Sequence, residues 1–183
     1  MSAARAIVAG GGLEALSFRS LEEHLGYTRG VITYHFADKD EIVAAVLQSA
    51  VAEIDQATQV RLERSTSLSE KVRAILHTKV QGFIDHPDAS EILIAFWARL
   101  SEGGPVRSAM SELFAGYRSQ AVNLVRAARR AEPRCTVDPQ AMAGLLVGIV
   151  IGLVIQIRFT PEAFDIGAAL DEATAAVVAR LQS

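Results

Sequence analysis

The sequence predicts an all-α fold of about nine helices, with a small N-terminal three-helix domain and a larger C-terminal helical domain. Nearly every segment carries apolar residues at steps of three and four, the period of a helix, and no segment alternates as a half-buried strand does. Half of the 183 residues are apolar, which is enough for a sizeable core. The boundary between the two domains is predicted near residue 46, giving domains of 1–46 and 47–183.

Composition limits the compartment and the chemistry. The single Cys135 excludes a disulfide framework, and no Cys/His cluster has zinc spacing, so we expect a cytoplasmic protein without a bound metal or cofactor. The N-terminus lacks the pattern of a signal peptide. Cys135 has no evident base partner and the four histidines are scattered, so we expect no catalytic residues and no enzyme.

Capping motifs and breaks mark the helices after the N-terminal domain. Asp38-x-x-Glu41 and Ser67-x-x-Glu70 have the capping-box pattern. The sequence Gly103-Gly104-Pro105 is a break in which proline suits a first helical turn. The remaining helices are expected at about 88–102, started by Asp88-x-x-Glu91, and at 105–131, 139–158 and 166–182, the last with Asp165 as N-cap.

Residues 18–39 have the layout of a helix-turn-helix that leads into a further helix. Gly26 can adopt the left-handed backbone that the turn requires. Tyr27 and Ile32 are expected to be buried beyond it. In such a motif the second helix enters the major groove of DNA; the alternative is an ordinary helical hairpin with solvated Arg and Lys side chains. The apolar residues that face the second helix are Phe18, Leu21 and Leu25.

The side chains expected to meet DNA lie on the second helix and just after it. Thr28 can cap this helix, whose first amides suit a phosphate. Arg29 and Thr33 lie on the early outer side, where base edges are met, and His35 and Lys39 are placed for phosphates. Because the net charge is -3 and the chain is not basic, DNA affinity must come from the local placement of these positively charged side chains. The predicted DNA-binding set is Thr28, Arg29, Gly30, Thr33, Tyr34, His35 and Lys39.

Residues 12–19 and 34–42 resemble the DNA-binding domain of TetR-family transcriptional regulators. The step Tyr34-His35-Phe36-x-x-Lys39 is a specific mark of that family, and the resemblance covers about the first 47 residues. The remaining chain resembles the C-terminal region of the BetI-like branch more weakly. The resemblance implies an all-helical homodimer that represses transcription from a double-stranded DNA operator and releases it when a small-molecule effector enters the C-terminal domain.

Three departures from the family pattern bear on DNA binding. Glu22 stands where the family usually has Ala between the two helices, and burying an unpaired carboxylate is costly. Thr33 replaces a Tyr that commonly reaches a phosphate, with Tyr34 beside it. The first helix lacks the family's usual start, and the run at 10–12 of three glycines weakens its end. The alternative function is therefore a helical dimer that has lost DNA binding and binds small molecules or proteins.

The C-terminal helices are expected, from the same resemblance, to surround an effector pocket. A pocket needs mostly apolar walls with a few polar groups. Trp97 with Phe96 is the best candidate pair, because a large aromatic surface offers stacking or cation–π contacts. For each candidate the alternative is a core aromatic or a surface polar side chain. The predicted ligand-binding set is His77, Gln81, Phe96, Trp97, Phe114 and Tyr117.

The segment 141–157 is almost wholly apolar, with a glycine at every fourth position. Small residues at this spacing let transmembrane helices approach closely, and the length is at the short limit of a bilayer span. The interpretation that we favour is a helix buried in a protein core and a dimer interface, with no membrane. The predicted interface residues are Gly144, Gly148, Gly152, Ala169, Ala173 and Val177.

Overall fold

The computed structural model describes residues 1–98, 105–132 and 134–183, except the side chains of 96–98, 105 and 106. Within these ranges the chain forms nine α-helices and no strand, which confirms the predicted all-α class. The helices are α1 Ser2–Ala15, α2 Phe18–Leu25, α3 Arg29–His35, α4 Lys39–Arg64, α5 Leu68–Asp85, α6 Pro87–Ala98, α7 Pro105–Ala131, α8 Pro139–Phe159 and α9 Ile166–Leu181.

The chain divides into two compact units, each assembled from two segments. Unit 1 comprises Met1–Glu53 and Asp85–Leu113, and unit 2 comprises Ile54–Ile84 and Phe114–Ser183. The helices α4 and α7 contribute residues to both units. The predicted domain boundary near residue 46 marks the end of the DNA-binding segment along the chain, which is a different division from these two units. That boundary stays a prediction.

The helix-turn-helix forms where the sequence predicts it. α2 begins with a capping box, in which Ser17 Oγ accepts from the Ser20 N–H at 3.0 Å and Ser20 Oγ accepts from the Ser17 N–H at 2.9 Å. Gly26 ends the helix at φ 67°, a left-handed conformation that costs glycine little. Ile32 is buried as predicted, but the predicted burial of Tyr27 is wrong, because its side chain is 57% exposed.

The glycine run interrupts α1 at a single residue. Gly12 has φ 70° and ψ -178°, which breaks the helix, and helical backbone resumes as far as Ala15. The other two glycines of the run have no positive φ. The predicted weak end of α1 is thus a kink at Gly12, which only glycine adopts without strain.

The predicted start of α5 is confirmed, but the predicted start of α6 is wrong. Glu70 accepts hydrogen bonds from the backbone N–H groups of Ser67 at 3.0 Å and Thr66 at 2.7 Å, and these bonds lower the pKa of Glu70 to about 2. α6 begins at Pro87, so Asp88 lies inside its first turn and does not cap the helix. The Asp88 carboxylate pairs with a distant side chain instead.

That partner is Arg5, which joins three helices of unit 1. Arg5 Nε donates to Asp88 Oδ2 at 2.5 Å, and Nη1 donates to Glu53 Oε1 of α4 at 2.5 Å. Nη2 lies 3.0 Å from His86 Nδ1 and donates to it when the imidazole proton is on Nε2. The Asp88 side chain is 7% exposed and that of Arg5 is 17% exposed, so water contributes little to either group. The hydrogen bond to Asp88, followed by that to Glu53, raises the pKa of Arg5.

Replacing Arg5 with Met should destabilise the protein by about 2–3 kcal/mol, because it leaves the Asp88 carboxylate buried without its cation; a fully buried pair costs roughly 3–5 kcal/mol to break. Urea denaturation measures the change. Arg19→Met is the matched control, because the Arg19–Glu23 pair is exposed and contributes little. Equal effects of the two substitutions would contradict the role given to Arg5.

Candidate DNA-binding face and buried polar cluster

Four of the predicted DNA-binding residues share one side of α3. At 100° per residue, Arg29, Gly30, Thr33 and Tyr34 lie on an arc away from the buried Ile32. All four are exposed, and Tyr34 is 86% exposed. We call this arc the α3 face. Its side chains are free of core packing, so they are available to a groove of DNA.

Two contacts restrict the side chains of the α3 face. The Arg29 guanidinium lies 5.5 Å from the centroid of the Phe18 ring, a cation–π contact between α3 and α2. Thr33 Oγ1 donates to the Arg29 carbonyl oxygen at 3.0 Å, and lies 3.3 Å from that of Gly30. Because the hydroxyl proton is directed back into the helix, Thr33 presents its methyl group and an oxygen lone pair to the outside.

The other predicted DNA-binding residues lie around this face. Thr28 occupies the N-cap position of α3, but its side chain makes no capping hydrogen bond, so the predicted capping role is wrong. Lys39 is the first residue of α4 and is half-buried. The carboxylates of Asp38 and Glu41, on either side of it in sequence, accept backbone N–H bonds at this helix start. Glu22 is half-buried, so its carboxylate is not enclosed between α2 and α3.

An open apolar cavity of about 170 Å³ lies in unit 1 beside α3. Its walls come from the start of α1, from α2 and from α3, and they include Met1, Leu25, Tyr27 and Val31. His35 also lines this cavity, and its ring contacts the ring of Tyr34 edge-on, with 5.2 Å between the two centroids. His35 thus lies between the cavity and Tyr34, and its role in DNA binding stays a prediction.

The predicted ligand-binding residues differ in their exposure to solvent, and the structure does not describe all of their side chains. The side chains of Phe96 and Trp97 lie outside the described residues. Gln81 is exposed and Phe114 is half-buried. His77 Nε2 lies 3.4 Å from Asp171 Oδ1 of α9, and burial, reinforced by nearby Arg73, lowers the pKa of His77. The predicted pocket stays a prediction, and Tyr117 is its member with the most informative surroundings.

Tyr117 belongs to a buried polar cluster of unit 2 that the sequence analysis missed. Lys79 Nζ donates to Asp55 Oδ1 at 2.7 Å and lies 3.7 Å from the centroid of the Tyr117 ring. Lys79 is 2% exposed and Tyr117 is 4% exposed. Burial lowers the pKa of Lys79, which its bond to Asp55 opposes, and burial also raises the pKa of Tyr117. We call Asp55, Lys79 and Tyr117 the lysine cluster.

Several polar atoms near this cluster in sequence have no hydrogen-bond partner within the described part of the chain. They include Tyr117 Oη, Thr78 Oγ1 and Gln120 Oε1, and each is buried. A buried polar atom without a partner costs free energy, so such atoms commonly meet a water molecule or a ligand. A sequence signal for Lys79 was available: it falls on the apolar stripe of α5, in step with Val72 and Leu76, where a lysine cannot reach solvent freely.

The predicted interface helix α8 has one buried side and one open apolar side. Leu145 is 60% exposed and Phe159 is 70% exposed, although both are large and apolar. Apart from the backbone of α8 itself and the residues adjoining each glycine, no atom of the described residues lies within 4 Å of where a Cβ would stand at Gly144, Gly148 or Gly152. On α9, the predicted interface residues Ala169 and Ala173 are half-buried, whereas Val177 is buried within its own unit.

By length and composition alone, α8 is also apolar enough to cross a membrane. Its mean hydropathy is 2.2 over an 18-residue window, and 28% of that window is buried. One such helix is weak evidence for a membrane span, because a core or interface helix has the same composition. The open side of α8 therefore needs a cover, and its composition does not identify the cover.

Two family models match the chain, and together they cover most of it. The model of bacterial regulatory proteins of the tetR family matches residues 1–46. The model of the C-terminal region of BetI-type transcriptional repressors matches residues 68–182. The first match contains the helix-turn-helix, and the second contains Lys79, Tyr117, α8 and α9. Both describe families of regulators, which are not enzymes.

Individual relatives are distant but extend over most of the chain. The nucleoid occlusion factor SlmA of Haemophilus ducreyi is 22% identical over 136 residues, which are 74% of this chain and 67% of that protein. The HTH-type transcriptional regulator BetI 2 of Chromohalobacter salexigens is 25% identical over 158 residues, 84% of this chain and 73% of that protein. The crystal structure of a transcriptional regulator from Pseudomonas aeruginosa PAO1 has the same fold, with a TM-score of 0.84 at 18% identity, and covers 99% of this chain and 87% of its own.

The substitution Tyr117→Phe should stabilise the ligand-free protein by about 1 kcal/mol, because it removes a buried hydroxyl that has no partner among the described residues and keeps the ring under Lys79. Thermal or urea unfolding measures the change. Tyr27→Phe is the matched control, since Tyr27 is exposed and should leave stability unchanged. A loss of stability in Tyr117→Phe would show that the hydroxyl has a partner.

Proposed function

The chain belongs to the TetR family, with a BetI-type C-terminal domain, and is a ligand-responsive DNA-binding transcriptional regulator; we propose that the α3 face reads its operator. The observation that carries this proposal is the exposure of Arg29, Thr33 and Tyr34 on one side of α3, directly after the left-handed turn at Gly26. A recognition helix places its early residues against base edges in the major groove.

Each group of the α3 face has a distinct task in this proposal. Arg29 donates to the acceptor edge of a guanine. Its contact with Phe18 already restricts the Arg29 side chain, so less conformational entropy is lost when it binds DNA. Thr33 offers its methyl group to a thymine methyl, since its hydroxyl proton bonds back to α3. Tyr34 takes the phosphate contact that the family usually gives to the preceding position. Lys39 neutralises a backbone phosphate and fixes the register.

The charge balance of the N-terminal domain makes these contacts important. Residues 1–47 carry four Lys or Arg side chains against six Asp or Glu side chains. Sequence-independent attraction to DNA grows with the number of phosphates neutralised, so it is small here. Specific contacts from the α3 face must then supply most of the operator affinity.

In this proposal the regulator is a cytoplasmic repressor that a small molecule releases from its operator. The effector binds unit 2, with Tyr117 and Phe114 among its contacts. Release requires that the effector bind the conformation that does not fit DNA more tightly than the one that does. A helical module that has lost DNA binding is not favoured, because both family models describe regulators of transcription.

The protein acts as a homodimer in this proposal, with α8 and α9 at its two-fold axis. A helix-turn-helix subunit reads one half-site, and two half-sites lie about one helical turn of DNA apart. The open apolar side of α8, from Gly144 to Phe159, supplies a surface that a second copy can cover. The effector pocket and the dimer interface are then both in unit 2.

A gel shift on the DNA that flanks the protein's own gene tests the function. Arg29→Ala should weaken specific binding by roughly 1–3 kcal/mol, whereas Lys39→Ala should weaken binding to all sequences alike and flatten its salt dependence. Arg126→Ala, on an exposed part of α7, is the control and should bind like wild type. Wild-type affinity in both test variants would exclude the α3 face as the DNA-binding surface.

Gly148→Leu should weaken dimerisation by about 1–3 kcal/mol, because a bulky side chain overpacks the close approach of two α8 helices. Sedimentation velocity over a concentration series measures the change. Gly116→Leu in α7 is the matched control: Gly116 is also an exposed helical glycine with open space around it, but it lies outside the proposed interface. A wild-type chain that is monomeric at micromolar concentration would refute the interface.

A further inference from the structure

The lysine cluster has the composition of a binding site for an organic cation. Such sites combine the face of an aromatic ring with a nearby carboxylate, because both attract positive charge. Here the ring is that of Tyr117 in α7 and the carboxylate is that of Asp55 in α4. The cation is supplied by α5 of the same chain, with Lys79 Nζ 2.7 Å from Asp55 Oδ1 and 3.7 Å from the ring centroid.

The cluster is poorly explained as a device for stability. Burying an ion pair costs desolvation that the attraction between the charges often fails to recover, and apolar replacements are often neutral or stabilising. Lys79 is 2% exposed, so its ammonium carries that cost almost in full. Asp55 keeps 36% of its side chain exposed, so the cluster is accessible from the carboxylate side. A buried charge in a ligand-binding domain is better explained by selection among ligands.

We infer that Lys79 is a specificity-determining residue: it fills the cation position formed by Asp55 and Tyr117, so that the effector offers oxygen acceptors and carries no ammonium group. This inference rests on the proposed function, because it requires an effector in unit 2. A second cation beside Lys79 would be repelled, and Asp55 is already paired. The Tyr117 hydroxyl, which has no partner among the described residues, is then free to donate to an oxygen of the effector.

The direct test empties the cation position and refills it from solution. Lys79→Ala in the full-length protein removes the side chain from Cγ to Nζ, and n-propylammonium supplies the same atoms. We expect n-propylammonium to stabilise this variant against thermal unfolding at a concentration about tenfold lower than n-propanol, which has similar size and no charge. Wild type should show no preference for the ammonium compound.

Two control variants isolate the cluster. Lys71→Ala removes the same atoms from the same helix outside the cluster, and it should not prefer n-propylammonium. Lys79→Ala combined with Asp55→Asn retains the ring and removes the carboxylate, and it should lose most of the preference. No preference in Lys79→Ala itself, or the same preference in Lys71→Ala, would overturn the inference.

A second measurement does not depend on Lys79→Ala folding. Wild type is titrated with choline and with its uncharged isostere, in which carbon replaces the nitrogen, and thermal stability and operator release are both recorded. At any concentration, choline should stabilise the protein or release the operator no more than the isostere does. Stabilisation or release by choline at a lower concentration than the isostere overturns the inference. A wild type that binds no operator would instead refute the proposed function, and the ammonium preference of Lys79→Ala would still decide the inference.

Discussion

The organisation of unit 1 depends on the burial of one guanidinium. Arg5 lies near the start of the chain, yet its partners Glu53 and Asp88 are 48 and 83 residues away, in α4 and α6. Because the Asp88 side chain is almost completely buried, its charge requires a cation, and Arg5 can supply it only if α1 lies beside α6. This requirement explains why the residues of α6 group with the helix-turn-helix in one unit. The position of the α3 face is thus linked to α6 through α1.

Local rules predicted the turns and helix starts that depend on neighbouring residues, and they failed where a distant residue decided the outcome. The turn at Gly26 and the capping pair at Ser67 and Glu70 were predictable, because each involves residues at most four apart. Asp88-x-x-Glu91 has the same capping pattern, but the Asp88 carboxylate accepts a hydrogen bond from Arg5 and does not cap α6. Tyr27 was expected to be buried on the far side of the turn, whereas it lines an open cavity. Sequence spacing identifies the side of a helix but not what covers that side.

The same limit is stronger in unit 2. The predicted effector pocket relied on aromatic residues, because these are conspicuous in a sequence, and it omitted Lys79, because lysine is usually solvated. The structure shows a lysine held by Asp55 and Tyr117 from two other helices, an arrangement that needs the helices to be packed first. Periodicity could have raised the question, since Lys79 lies on the apolar stripe of α5. It could not have supplied the partners, which lie 24 and 38 positions away in the sequence.

The open apolar side of α8 is the feature on which the proposed dimer depends. A membrane-spanning helix must be apolar around its full circumference, or pair its remaining sides with other spanning helices. α8 already packs one side within its own unit, through Met142, Leu146, Val150 and Val154 at helical spacing. Gly144, Gly148 and Gly152 leave a shallow strip without side chains on another side of α8. Another protein helix can fill this strip as well as lipid chains can. In the proposed dimer a second α8 covers that strip, because a two-fold interface brings the same apolar surface from both copies together. In the proposed dimer, the apolar composition of α8, which also suggests a membrane span, serves the pairing of subunits that two half-sites require.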